Sequence, residues 1–288
     1  MKKKAIKIFE LFVSIAISAG FIYLFYRVIG FDKFVQFFKE INPANIIIAF
    51  ILYIGSYLTR AFRWKLTLSI NQFKKLFKIT AFNTVFNIFM PFRTGELSFF
   101  YMLKKENIPI SESAVSFVSV RIFDALSLFA VFGMSFFLFK GMPLLAILTI
   151  ILMPLAAFVL KFLVSFIKHE KIKAFHDTKL TPKNIMVLYV LSVLTFILKF
   201  TAFYLVLPSG VDLSFVEAFF AASAGDLTTI LPIHGLAGIG TYEGGYAGLL
   251  ILFGIDKETA LLASVFVHLF MLMGAAVIAA FCYLFLRD

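Results

Sequence analysis

Two glutamates stand just after breaks in otherwise apolar stretches: Glu96 in MPFRTGELSFF and Glu243 in LPIHGLAGIGTYEGG. A carboxylate at membrane depth is costly, and where one occurs it marks a substrate pathway or a proton relay. Each glutamate also falls in the first turn of the helix that leaves the break. A carboxylate there complements the helix dipole by about 0.3–1 kcal/mol, and Thr94 and Thr241 would be the N-caps. Both uses stay open at this point, although a cap alone needs neither a glutamate nor a second copy.

The neighbouring residues widen the chemistry. Arg93, just before Gly95 and Glu96, would hold a phosphate together with the free N–H groups of a helix start; snorkelling to the surface is its alternative. Arg121 and Asp124 share one helix face, either as an internal ion pair or as a gate or phosphate site. Asp226, in the first half of the second broken stretch, is an acid in need of a partner. His268 is a hydrogen-bonded core histidine or a ligand, and Lys199 is expected to snorkel outward. His234 completes the substrate-binding candidates, with Gly95 and Gly240. The run Gly235, Gly238, Gly240 permits tight turns and an N–H nest, without the strand–turn–helix setting of a dinucleotide fingerprint.

Enzymatic constellations are sparse. The four histidines, His169, His176, His234 and His268, are scattered. No H-E-x-x-H motif, Cys/His cluster or phosphate-binding loop appears. The expectation is a protein that is not an enzyme, with no metal and no cofactor.

The elements that must position these groups are membrane helices. Hydrophobic residues make up 61% of 288 and mean hydropathy is +0.98, against roughly 45–50% apolar in soluble domains. Barrel strands would alternate over about 10 residues, and these runs are longer and do not alternate. The net charge of +11 does not point to nucleic acid, because the basic residues cluster at the ends of apolar segments. The single cysteine, Cys282, excludes an intrachain disulfide. The N-terminal apolar run exceeds a signal-peptide core and reads as a retained first helix.

Six segments are long enough to cross a bilayer, at 5–28, 44–66, 114–139, 143–166, 185–207 and 260–286. Two further apolar regions, 77–105 and 215–254, are broken at Pro91–Gly95 and Pro232–Gly240. Broken backbone at membrane depth needs protein or a wet cavity around it, so both read as re-entrant half-helix hairpins. Basic residues concentrate in 60–78 and 161–183, which places those stretches and both termini in the cytoplasm. Halves of about 1–140 and 141–288 correspond segment by segment, Glu96 with Glu243 and Ser119 with Ser264. With three crossings each they are oppositely oriented, an inverted-topology repeat. The fold expected is an all-α integral membrane protein, one membrane domain over 1–288.

The ordered motifs NTVFNIFMPFRTGELSFFYMLKKENIPISESAVSFVSVRIFD and LPIHGLAGIGTYEGG resemble a known family. It comprises the membrane region of lysylphosphatidylglycerol synthases (the multiple peptide resistance factor) and stand-alone flippase-like membrane proteins. The second motif departs from the family's Pro-Gly-Gly pattern by carrying His234. The 288 residues include no aminoacyl-transfer or glycosyltransferase domain. The resemblance therefore implies the lipid-translocating half, in a bacterial or archaeal cytoplasmic membrane. Its substrate would be a phospholipid or polyprenyl-phosphate-linked lipid. Membrane lipids are the expected partners, with a separate lipid-modifying enzyme or a homo-oligomer compatible. Two alternatives stay open: an ion-coupled carrier of a small solute, and a non-transporting scaffold for a lipid-modifying enzyme.

Overall fold

The computed structural model describes residues 2–90, 94–165, 170–229 and 235–286, and every long element among them is a helix. The six segments expected to cross form helices, α1 (Lys2–Val28), α3 (Pro43–Thr67), α6 (Ile110–Phe139), α7 (Pro143–Ser165), α9 (Pro182–Leu205) and α12 (Lys257–Phe285). Of these, α3, α6, α9 and α12 are long and apolar enough to cross a membrane. A fifth candidate span is α1 with α2 (Phe31–Lys39), bent by 79°. In α7 the apolar stretch is shorter, Pro143–Val159. The stretch 29–42, between the first two of the expected segments, thus holds a helix. Its aromatic side chains recur at helical spacing, and Phe34 stacks on Phe266 of α12 at 5.1 Å.

Both broken stretches are pairs of helices, α4 (Phe73–Phe89) with α5 (Glu96–Lys105), and α10 (Phe215–Thr228) with α11 (Thr241–Leu252). A short polar helix, α8 (Glu170–Lys179), joins α7 to α9. The described residues form two compact units. One takes Met1–Leu52, Thr84–Glu96 and Phe200–Ile278; the other takes Tyr53–Asn83, Leu97–Lys199 and Ala279–Asp288. Each unit therefore draws segments from both sequence halves.

In the first unit α10 opens on a capping box. Ser214 Oγ accepts from the Glu217 N–H, and the Glu217 carboxylate accepts from the Ser214 N–H at 2.8 Å. α10 and α11 then run antiparallel. Phe220 meets Phe253 at the far end (ring centroids 5.6 Å), and Gly245 lies so close to Ala224 and Thr228 that a Cβ would not fit. Small residues allow this backbone approach, as at membrane helix interfaces generally. In the same unit, Gly95 packs on the last turn of α4, where a Cβ would sit 2.3 Å from the Phe86 carbonyl.

In the second unit Trp64 packs on Phe99 (4.5 Å) and Phe99 on Phe117 (5.2 Å), among buried Leu68, Leu76 and Leu103. The early part of α4 and α5 are also antiparallel, with Lys75 Nζ donating to Glu106 at 2.6 Å. Pro154 inside α7 cannot donate to the Ile150 carbonyl. The Tyr189 hydroxyl of α9 donates to that carbonyl instead, at 2.8 Å, which satisfies the acceptor the proline leaves open.

Candidate functional site

The turn that precedes α11 is built to be tight. The backbone enters the left-handed region at Ala237 (φ 52°) and again at Gly240 (φ 89°). For an alanine that region costs about 1–2 kcal/mol, so neighbours must hold it. Ser18 of α1 does so from one side: its hydroxyl accepts from the Leu236 N–H at 2.8 Å and donates to the Ile239 carbonyl at 3.2 Å. At Gly235 a Cβ would lie 1.8 Å from the Ile239 carbonyl oxygen, so the turn closes only around a residue without a side chain.

His268 of α12 holds the turn from the other side. Its Nε2 lies 3.0 Å from the Ala237 carbonyl and its Nδ1 lies 2.6 Å from Glu243 Oε1. A carbonyl only accepts, so Nε2 carries hydrogen. At 2.6 Å a bare Nδ1 would set its lone pair against a carboxylate oxygen, so a proton lies between the two. It is held either as imidazolium and carboxylate or as neutral imidazole and carboxylic acid, and both forms are neutral overall. The other carboxylate oxygen accepts from the Gly240 N–H at 2.7 Å. Histidine and glutamate are only 2% and 3% exposed, and the Tyr242 ring covers the imidazole at 4.9 Å.

Glu243 is thus both cap and charge partner, with one oxygen for each task. Thr241 is not the N-cap: the cap position is Gly240, and the Thr241 hydroxyl donates back to the Gly238 carbonyl at 2.9 Å. His268 is a hydrogen-bonded core histidine whose partner is the glutamate itself. Asp226 is buried on α10 in the same unit. Glu96, the first residue of α5, belongs to that unit too and is half-buried behind Gly95. Arg93 and His234 lie outside the described residues.

The second unit contains a different polar centre. Asp124 of α6 meets Arg121 at 3.6 Å, the pair expected from their spacing. Its stronger partner is Arg63 of α3, which donates to Asp124 Oδ1 and, at 2.7 Å, to Ser192 of α9. Arg63 is 2% exposed, so it is no free surface charge of a basic loop. Hydroxyls extend the seam: Thr59 meets Thr195 at 2.7 Å, and Ser116 donates to Thr67 at 2.6 Å. Lys199, one turn beyond Thr195, is 7% exposed and does not snorkel. The sequence does carry the missed signal. Ser56, Thr59, Arg63 and Thr67 recur at helical spacing along α3, as Ser192, Thr195 and Lys199 do along α9.

A family model described as the lysylphosphatidylglycerol synthase TM region matches residues 11–279. The chain belongs to this family. It is a multi-pass membrane protein of a family linked to lipid handling, and its buried polar centres sit inside apolar helices. Neither a curated protein nor a solved structure matches the chain.

Proposed function

We propose that this protein moves an amphiphilic lipid between membrane leaflets, without enzymatic chemistry and without a cofactor. In this reading α4–α5 and α10–α11 are re-entrant hairpins in a six-crossing, inverted-repeat fold with both termini cytoplasmic. Acyl chains stay in the bilayer while the head group passes the polar residues at the hairpin breaks. Glu243, and Glu96 at the matching break, receive head-group charge or protons.

The observation that carries the proposal is the Glu243–His268 pair. It is a neutral, proton-holding couple at the start of a helix that doubles back on its neighbour. Such a couple can accept an ammonium or pass a proton without leaving a bare charge in the membrane interior. Membership of a lipid-handling family supports a lipid as the cargo.

The test is flipping of labelled phospholipids and polyprenyl-phosphate lipids by the purified chain in liposomes. Movement that falls when both Glu96 and Glu243 become glutamine supports the reading. No movement of any such lipid sinks it, and function indifferent to both glutamates favours a scaffold. The same proton-holding pair favours, as a second reading, a proton-coupled carrier of a small solute. Proton flux that requires a water-soluble cargo would select it.

A further inference from the structure

Three arginines of the second unit gather around Asp124. Arg63 and Arg121 both contact Asp124, and Arg60 acts on the same carboxylate by charge. Three guanidinium groups thus surround one acid. Asp124 lies near the middle of the 30-residue α6, where water cannot readily screen these charges.

Hydrogen-bond donors beside this carboxylate are left over. Arg63 Nε and Arg60 Nε are buried without a hydrogen-bond partner. So is the Ser127 hydroxyl, one turn from Asp124 along α6. Buried polar atoms are normally satisfied, and an unmet set on the residues that flank one carboxylate calls for a missing partner. A metal ion or an ammonium would be repelled by three cations. What fits is an anion with several acceptor oxygens, and guanidinium forks match phosphate geometry.

We infer that Arg60, Arg63 and Arg121, with Ser127 and steadied by Asp124, form a binding site for a phosphate group. Asp124 keeps the guanidiniums separated and correctly turned when the anion is absent. If the lipid reading holds, the phosphate is that of a head group; a free phosphate ion has the same chemistry, and the test separates the two.

Trp64, the single tryptophan, follows Arg63 in sequence and is buried against Phe99, so its fluorescence reports on the site. The purified full chain in maltoside micelles, free of phosphate, is titrated with dioctanoyl phosphatidylglycerol, inorganic phosphate and dioctanoylglycerol. A saturable change with the phospholipid only, weakened roughly tenfold or more by Arg60→Gln, supports a head-group site; that factor corresponds to one charge-assisted hydrogen bond. An equally arginine-dependent response to inorganic phosphate supports a site for the free ion. A response to dioctanoylglycerol equal to that of the phospholipid overturns the inference. So does silence to both phosphates, or a response that Arg60→Gln leaves unchanged. Arg63→Gln paired with Asp124→Asn keeps the local charge balance and serves as a second variant, with the same loss expected. Binding without flipping defeats the proposed function alone, and flipping without binding defeats this inference alone.

Discussion

Glu243 and Asp124 are two carboxylates within apolar helices, and their partners divide their roles. Glu243 shares a proton with the imidazole of His268. Asp124 faces guanidinium groups, which stay charged at any physiological pH. The first centre holds a shared proton, and the second holds fixed charges. In the proposed function the first centre exchanges and the second holds, and the chain keeps them in separate compact units.

The fixed centre should yield the largest stability effect. Asp124→Leu leaves Arg63 buried without its carboxylate, a loss of about 3–5 kcal/mol for a broken buried pair. Adding Arg63→Met should recover much of it, because an apolar pair of similar volume often replaces a buried ion pair well. Thermal unfolding followed by Trp64 fluorescence measures both. A single variant as stable as the parent would show that Asp124 is not the partner of Arg63 in solution.

The contrast between the centres also explains what could be read without coordinates. Long apolar runs, and proline or glycine at the breaks, locate the helices directly, because backbone hydrogen bonding leaves a membrane segment few options. Glu243 stands out for the same reason, as a charge beside a break. His268 is a candidate as well, but its pairing with Glu243 is not legible, because no local pattern links two residues 25 apart on separate helices. Arg63 resembles any basic residue near a helix end, where snorkelling is the usual outcome. Only the hydroxyls spaced along its face tell it apart, and they become meaningful once α9 supplies Ser192 and Thr195 opposite.

The exchanging centre should respond in activity rather than stability. In Glu243→Gln the amide oxygen still accepts from the Gly240 N–H, and the amide nitrogen donates to His268. The fold should survive, while the proton between the two side chains is no longer shared. Lipid movement should fall by about 5- to 150-fold, the span of an ordinary coupling free energy, and its pH dependence should flatten. Asp124→Asn with Arg63→Gln should leave the shape of that pH profile intact. If the profile flattens there instead, the division between exchanging and fixed centres fails.

Gly240→Ala probes the link between the turn and the exchanging pair. The new Cβ would lie 3.0 Å from atoms of Ile17 and Phe21, at a φ of 89°. Left-handed backbone alone costs about 1–2 kcal/mol. Because the Gly240 N–H holds one oxygen of Glu243, the same change should disturb the pH profile of transport. A variant that melts lower yet keeps the parent profile would show that the cap does not orient the carboxylate.

A third carboxylate, outside the spans, sets the scale for an ordinary one. Asp256 precedes α12 and accepts from the Thr259 N–H at 2.9 Å. Hydrogen bonds from the Thr259 side chain and then its backbone hold the Asp256 carboxyl below the usual carboxylate range. A depressed value means the stabilisation is complete above the unfolded value, near pH 4. It is lost as pH falls through the folded one. Asp256→Ala should therefore cost about 1 kcal/mol at neutral pH, the usual worth of an N-cap, and less as the medium is acidified. Asp256→Asn should keep most of that stability with a weaker pH dependence, and neither variant should alter the transport profile near neutrality. If Asp256→Ala shifts that profile as strongly as Glu243→Gln does, the pH response belongs to the surface of the protein and the buried histidine pair is not its source.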